Sequence, residues 1–133
     1  MKTIKIVLFT LLFANMIPQL TAQNTEVPSE IITALSQGDG AKLSNYFNNN
    51  IELAIGNKND VFSKQQAAGI VVDFFKTNKV VSFKLLHQGN KEAASFAIGE
   101  IKTNSTNYRV YILTRKSGNQ IIIQQLRIEP QND

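Results

Sequence analysis

Hydrophobic residues change their spacing near residue 79, and this change divides the chain into two parts. Before residue 79 they recur every three or four positions, the spacing of a helix with one buried face. Three segments have this pattern: PSEIITALSQGD, GAKLSNYF and SKQQAAGIVVDFFKTN. In the third segment, Ser63 and Gln66 are spaced as a capping box, which marks the first turn of a helix. The first part therefore predicts two short helices and a longer one.

Beyond residue 79 the apolar positions alternate with a period of two, as in strands with one buried face. Four strands are predicted, at about 80–88, 91–103, 108–116 and 120–129. A shorter strand at 51–56 and an extended run at Val61 and Phe62 precede the long helix. Helices that are separated along the chain from an antiparallel meander indicate an α+β fold.

The N-terminus has the pattern of a secretory signal peptide. Lys2 and Lys5 precede an apolar run from Ile6 to about Ile17, and Ala22 places a small residue before the expected cleavage point. The run is shorter than the roughly 20 apolar residues that a membrane-spanning helix needs, so a single anchoring helix is the weaker alternative. No cysteine follows the run, which excludes a bacterial lipoprotein anchor.

Cleavage there divides the chain into a signal peptide at residues 1–22, a disordered lead-in at 23–28 and one domain at 29–130. We therefore expect an exported protein, periplasmic or extracellular, with no membrane attachment once the signal peptide is removed. The whole chain has a formal net charge of +4, and its leader carries two lysines and no acid, so the mature chain carries +2. No basic stripe remains that would favour nucleic acid as a partner.

Cysteine and histidine usage excludes several kinds of chemistry. The chain has no cysteine, so disulfides, thiolate metal sites and cysteine nucleophiles are excluded. Its single histidine, His87, leaves no histidine cluster for zinc or non-haem iron. We therefore expect no metal and no cofactor. His87 itself is a catalytic candidate because histidine titrates near neutral pH.

Four stretches carry a resemblance to known proteins: LSNYFNNNIELAI, FSKQQAAGIVVDFF, SFKLLHQGNKEAASFAIGEI and YRVYILTRKSGNQIIIQQLRIE. They resemble a family of small secreted bacterial proteins, a domain of unknown function, within the nuclear transport factor 2-like, or cystatin-like, superfamily. The resemblance implies a cone, in which N-terminal helices pack on the concave face of a bent, mostly antiparallel sheet. It implies no activity, because the superfamily includes both enzymes and non-catalytic binding modules.

Turn residues predict how the last four strands pair. We place two-residue turns at 89–90, 105–106 and 117–118. This register aligns Glu100, Tyr111 and Gln124 in one row across three neighbouring strands, on the face that we expect to pack against the helices. His87 then lies opposite Glu92, close to the first turn. The superfamily resemblance implies that pockets lie on this concave face.

The row of carboxylate, phenol and amide has three interpretations. In the first interpretation, the row is a polar site inside an apolar cavity, where Glu100, Tyr111 and Gln124 contact a small molecule or a peptide. Alternatively it is the centre of a dehydratase, isomerase or hydrolase, where Glu100 acts as general acid or base and Tyr111 or His87 assists. The third interpretation is a self-satisfied network, in which Tyr111 donates to Glu100 and Gln124 completes the hydrogen bonds.

The opposite face of the sheet carries five aliphatic residues in the same register: Ile101, Val110, Ile112, Ile121 and Ile123. An apolar patch of this size on a solvated face suggests a partner. Homodimers joined through their sheets are common in the superfamily that the chain resembles, so we expect a homodimer through this outer face. The alternatives are that the two faces are reversed, or that the bent sheet buries part of both.

These observations predict an exported bacterial protein with a non-catalytic ligand-binding or protein-interaction role. The alternatives are a small enzyme with a carboxylate in its cone, and a structural partner of another envelope protein. A cone open to Glu100 would favour an enzyme or a ligand site. A cone filled by Phe47, Phe74 and Phe83 would favour an interaction module.

Overall fold

The computed structural model describes residues 26–131, which form three helices and six strands. The helices are α1 (Ser29–Gln37), α2 (Gly40–Ser44) and α3 (Lys64–Thr77). The strands are β1 (Phe47–Ile55), β2 (Lys58–Ser63), β3 (Val80–Lys91), β4 (Ala94–Thr103), β5 (Asn107–Ser117) and β6 (Gln120–Pro130). The predicted signal peptide lies outside the described residues. Among those residues, none of the helices is long and apolar enough to cross a membrane.

The six strands form one sheet in the order β2-β1-β6-β5-β4-β3. Neighbouring strands pair antiparallel, except that β1 runs parallel to β6. The last strand, β6, therefore lies between β1 and β5. It joins the strands of the two parts of the sequence into a single layer. This arrangement confirms the α+β fold with helices followed by a mostly antiparallel sheet.

The three helices cover one face of this sheet, and the core lies between the two layers. In α3 the buried residues Ala67, Val71 and Phe75 recur every four positions, so one stripe of the helix meets the sheet. Val27 falls in the predicted lead-in, yet it is buried in the same core. The largest fully buried side chains come from both layers: Ile31, Leu35, Leu43, Ile51, Leu53, Val71, Ile101, Val110, Ile112, Ile123, Leu126 and Ile128.

Polar side chains fix both ends of α3. The predicted capping box is confirmed, because Ser63 Oγ accepts from Gln66 N at 3.2 Å and Gln66 Oε1 accepts from Ser63 N at 3.3 Å. At the other end, Asn78 Oδ1 accepts from Ser105 Oγ at 2.7 Å and from Tyr108 OH at 3.1 Å. The helix is thereby attached to the turn between β4 and β5.

The turn between β3 and β4 is not at Gly89 and Asn90, as predicted. Both residues lie inside β3, and the turn is formed by Glu92 and Ala93. Glu92 adopts the left-handed conformation, with φ of 58°. Gly89 is required for a different reason: a Cβ there would lie 2.8 Å from Cε1 of Phe96. Close approach of an aromatic ring, not a turn, explains this glycine.

On β4, β5, the first half of β6 and the part of β3 that follows its bulge, the two faces of the sheet are the reverse of those predicted. The residue left over at the bulge in β3 is Leu86, because Leu85 pairs with Gly99 and His87 pairs with Ile98. A bulge of one residue moves the following side chains to the other face. As a result Leu85 and His87, two positions apart, lie on opposite faces.

Candidate functional site

Glu100 and Tyr111 do not form the predicted row with Gln124. Glu100 pairs with Arg109 across β4 and β5, and Tyr111 pairs with Arg127 across β5 and β6. Glu100 and Tyr111 are diagonal neighbours on the half-buried face that points away from the helices. Their predicted position in the cone is therefore wrong, because the hairpin register is shifted and the faces are reversed.

Gln124 lies at a β-bulge in β6. Leu113 pairs with Gln125 and Thr114 pairs with Ile123, so the register leaves Gln124 without a direct partner on β5. Gln124 borders a hollow of about 300 Å³ between β1 and β6. Of the three residues predicted to bind a ligand, Gln124 thus lines a concave surface, although that surface is outside the cone.

Apolar side chains fill the space between helices and sheet. Phe47 is 2% exposed, and Phe74 and Phe83 pack against the same core. Among residues 26–131 the buried polar side chains are Ser44, Ser95 and Thr114, and none of the three carries a charge at neutral pH. Thr114 Oγ1 donates to the carbonyl oxygen of Ser95 at 3.2 Å. Within the part of the chain that the structure describes, no carboxylate is buried in the cone.

The outer face of the sheet carries an apolar stripe, which we define as Phe96, Ile98, Tyr111 and Leu113. Phe96 pairs with Leu113 and Ile98 pairs with Tyr111, so the stripe consists of two adjacent cross-strand pairs of β4 and β5. All four residues are half-buried. The ring of Phe96 also contacts the His87 ring, with centroids 5.5 Å apart. The register predicted from the sequence placed all four residues on the face that packs against the helices.

Charged residues surround the apolar stripe unevenly. On the outer face, the half formed by β3, β4 and β5 carries five basic residues and one acid, a net +4: Lys84, Lys91, Lys102, Arg109, Arg115 and Glu100. The half formed by β6, β1 and β2 carries one base and two acids, a net −1: Arg127, Glu52 and Glu129. One ion pair occurs there, Arg127 Nη2 to Glu129 Oε1 at 3.3 Å.

The residues predicted to form the dimer interface are not on the outer face. Ile101, Val110, Ile112 and Ile123 are at most 1% exposed and belong to the core, and Ile121 is half-buried on the same side. A row of aliphatic residues across several strands is what a core needs, so the reversed-faces alternative is the correct one.

His87 lies outside the cone. It is exposed on β3 and pairs with Ile98, not with Glu92. Over residues 26–131, no group of three or more histidine, cysteine, aspartate or glutamate side chains could hold a metal ion.

Comparison with known proteins assigns the chain to a family. A model of a domain of unknown function, DUF4783, matches residues 28–129. The chain belongs to the DUF4783 family. It is similar to a DUF4783 structure from Bacteroides ovatus, with 34% identity and a TM-score of 0.76 over 80% of this chain and 97% of that one. A DUF4783 structure from Bacteroides fragilis has 31% identity and a TM-score of 0.74, with 79% and 99% covered.

Structures of more distantly related sequence share only the fold with this chain. A cystatin-like protein of unknown function from Nostoc punctiforme is 12% identical, with a TM-score of 0.62 over 79% of this chain and 73% of that one. A protein designated Rd1NTF2_05 is 19% identical, with a TM-score of 0.61 and coverage of 75% and 90%. The resemblance to this bacterial family is thereby confirmed, together with the nuclear transport factor 2-like, or cystatin-like, fold. No curated protein matches the chain.

Proposed function

We propose that this protein is a non-catalytic interaction module of the bacterial cell envelope, exported by its N-terminal segment, that associates with a second copy through its outer face. The observation that supports this most strongly is the distribution of side chains. The cone is filled by apolar groups, whereas large apolar residues of the stripe are half-exposed on the opposite side. An apolar surface with a polar border is a common feature of protein interfaces.

The dimensions of the outer face are sufficient for a dimer. Six strands at spacings of about 4.8 Å span roughly 24 Å, and ten residues of strand are about 33 Å long. The product, roughly 800 Å², is of the order that each partner buries in an interface of standard size.

The charges of the outer face are arranged so that one orientation of a second copy opposes unlike charges. A two-fold axis in the interface, parallel to the strands, places the basic half of one copy over the acidic half of the other. The basic half carries a net +4 and the acidic half a net −1. Such opposition of unlike charges fixes the orientation of the two copies. The enzymatic alternative has less support, because Glu100 lies on the outer face and not among groups that exclude water.

The association is tested by placing a charge in the stripe. Leu113→Lys should give a folded monomer by light scattering, since an ammonium group at the centre of the interface would be buried without a partner. The matched control is Val81→Lys, at a 71% exposed bulge residue of the edge strand, which should keep the dimer mass. An unchanged mass for Leu113→Lys, or a monomeric unaltered protein, would refute the proposal.

A further inference from the structure

A cleft of about 630 Å³ lies at one end of the sheet, away from the apolar stripe. The C-terminal end of α2, the start of β1, the start of α3 and the turn between β5 and β6 form its walls. We call it the amide cleft, because five of its lining side chains end in a carboxamide: Asn45, Asn48, Asn49, Asn119 and Gln120. The cone and the apolar stripe use none of these five residues.

Two hydrogen bonds to backbone carbonyl groups hold the walls of the amide cleft in place. Ile123 N donates to Tyr46 O at 2.6 Å, which joins β6 to the start of β1. Lys64 Nζ donates to Asn45 O at 3.2 Å, which joins the start of α3 to the end of α2. Phe47, between the two contacts, is buried in the core. The cleft is therefore supported by the core even though its polar side chains are accessible.

The β1 strand departs from β6 directly beside this cleft. Phe47 pairs with Ile123, and the next pair is Glu52 with Gln125. Between these pairs β1 advances five residues and β6 advances two. The extra length of β1 is the Asn48–Asn50 segment. Bulges of this kind occur beside binding sites because they redirect side chains out of the sheet.

Most of the amides that line the cleft are available to a ligand. Among residues 26–131, the side chains of Asn45, Asn49, Asn119 and Gln120 take part in no hydrogen bond with the protein, whereas Asn48 Oδ1 accepts from Asn49 N at 3.0 Å. Each carboxamide offers two N–H donors and a carbonyl acceptor. The lining charges are a single pair of opposite sign, Glu30 and Lys64.

We propose that the amide cleft binds a neutral saccharide. Sugar hydroxyl groups both donate and accept, which matches carboxamides that do the same. Tyr46 and Pro28 supply apolar surface in the lining, against which the C–H face of a sugar ring could pack. A phosphate or nucleic-acid ligand would instead call for several arginine or lysine side chains, and the lining contains one lysine.

The probes for this proposal are neutral hexasaccharides of glucose, mannose, xylose and N-acetylglucosamine. Each is titrated into isotope-labelled protein that is purified after expression of the complete chain, while the side-chain amide signals of asparagine and glutamine are recorded. At least one probe should shift the signals of the cleft amides. No shift from any probe would overturn the proposal, as would shifts confined to other amides. An acidic hexasaccharide or an extended hexapeptide that binds more tightly than every neutral sugar would overturn the ligand class.

A double variant then tests the residues. Asn49→Ala with Gln120→Ala should weaken binding of the best probe about tenfold or more, because two hydrogen-bonding side chains are lost. The control, Asn59→Ala with Gln65→Ala, removes two exposed amides outside the cleft and should bind as the unaltered protein does. Equal affinities of the two double variants would refute the assignment. Leu113→Lys should bind the sugar as the unaltered protein does. Sugar binding is therefore tested independently of the dimer proposal.

Discussion

At the scale of single residues, the size of a side chain determines which face of β4 meets the helices. The inner face carries Ser95, Ala97 and Gly99, whereas the outer face carries Phe96 and Ile98. Sequence reasoning assigned the larger apolar residues to the core and therefore chose the wrong face. Small residues are needed there because the Phe83 ring lies against Gly99, where an added Cβ would be 2.5 Å from two ring atoms. Such close contacts depend on tertiary packing, which apolar periodicity does not report.

Substitution of two glycines by alanine should have opposite effects, because, of the two, only Gly99 lies against a ring. Gly99→Ala should lower the free energy of unfolding by roughly 1–3 kcal/mol, because Phe83 must move in a packed core. Gly69→Ala, at an exposed helical position with no atom within 4 Å of the new Cβ, should raise it by about 0.5–1 kcal/mol. Urea unfolding measures both changes. If Gly99→Ala proved as stable as Gly69→Ala, the close packing of Phe83 on Gly99 would be wrong.

At the scale of elements, the existence and type of the helices and strands were predictable, whereas the register of strand pairing was not. The three helices follow from apolar spacing, and the start of α3 follows from its capping box. The pairing of β3 and β4 depends on a turn at Glu92, a residue with no intrinsic preference for positive φ, and on a bulge at Leu86. Neither feature has a local signal in the sequence. The row of aliphatic residues on β5 and β6 did identify the core face, although it was interpreted as an interface.

The assignment of faces is tested by two adjacent residues of β5. Ile112 is fully buried, and Leu113 is half-buried on the other side. Ile112→Lys should lower the free energy of unfolding by about 4 kcal/mol or more, because it buries an unpaired charge. Leu113→Lys should cost no more than about 1 kcal/mol when urea unfolding is measured on dilute protein. The reverse order of stabilities would show that the faces are as first predicted.

At the scale of the whole molecule, the chain places its apolar side chains in two separate layers. One layer fills the cone, and the other, the apolar stripe, is half-exposed on the outer face of the sheet. The family and the α+β fold could be predicted from the sequence, because the matching stretches extend through most of the domain. The candidate site could not, because it consists of residues from β4 and β5 that meet only when the correct register is known. The amide cleft likewise joins residues that are far apart in the chain.

Export is a property of the whole molecule that the N-terminal residues predict. The protein isolated from its native host should begin near Gln23, because Ala22 supplies the small residue that signal peptidases require. Terminal sequencing together with the intact mass measures this directly. Exported protein that still begins at Met1 would contradict the signal peptide at residues 1–22.

The most direct test of the central claim is an isotope-filtered NOE spectrum of carbon-13-labelled protein mixed with an equal amount of unlabelled protein. Only protons of different copies give signals in this spectrum. The proposed two-fold axis places β4 and β5 of one copy over β1 and β6 of the other. The dimer therefore predicts contacts from the methyl groups of Ile98 and Leu113 in one copy to Ala54 and Gln125 in the other. A spectrum without intermolecular signals, or with signals only from the helices and the edge strands, would contradict association through the outer face.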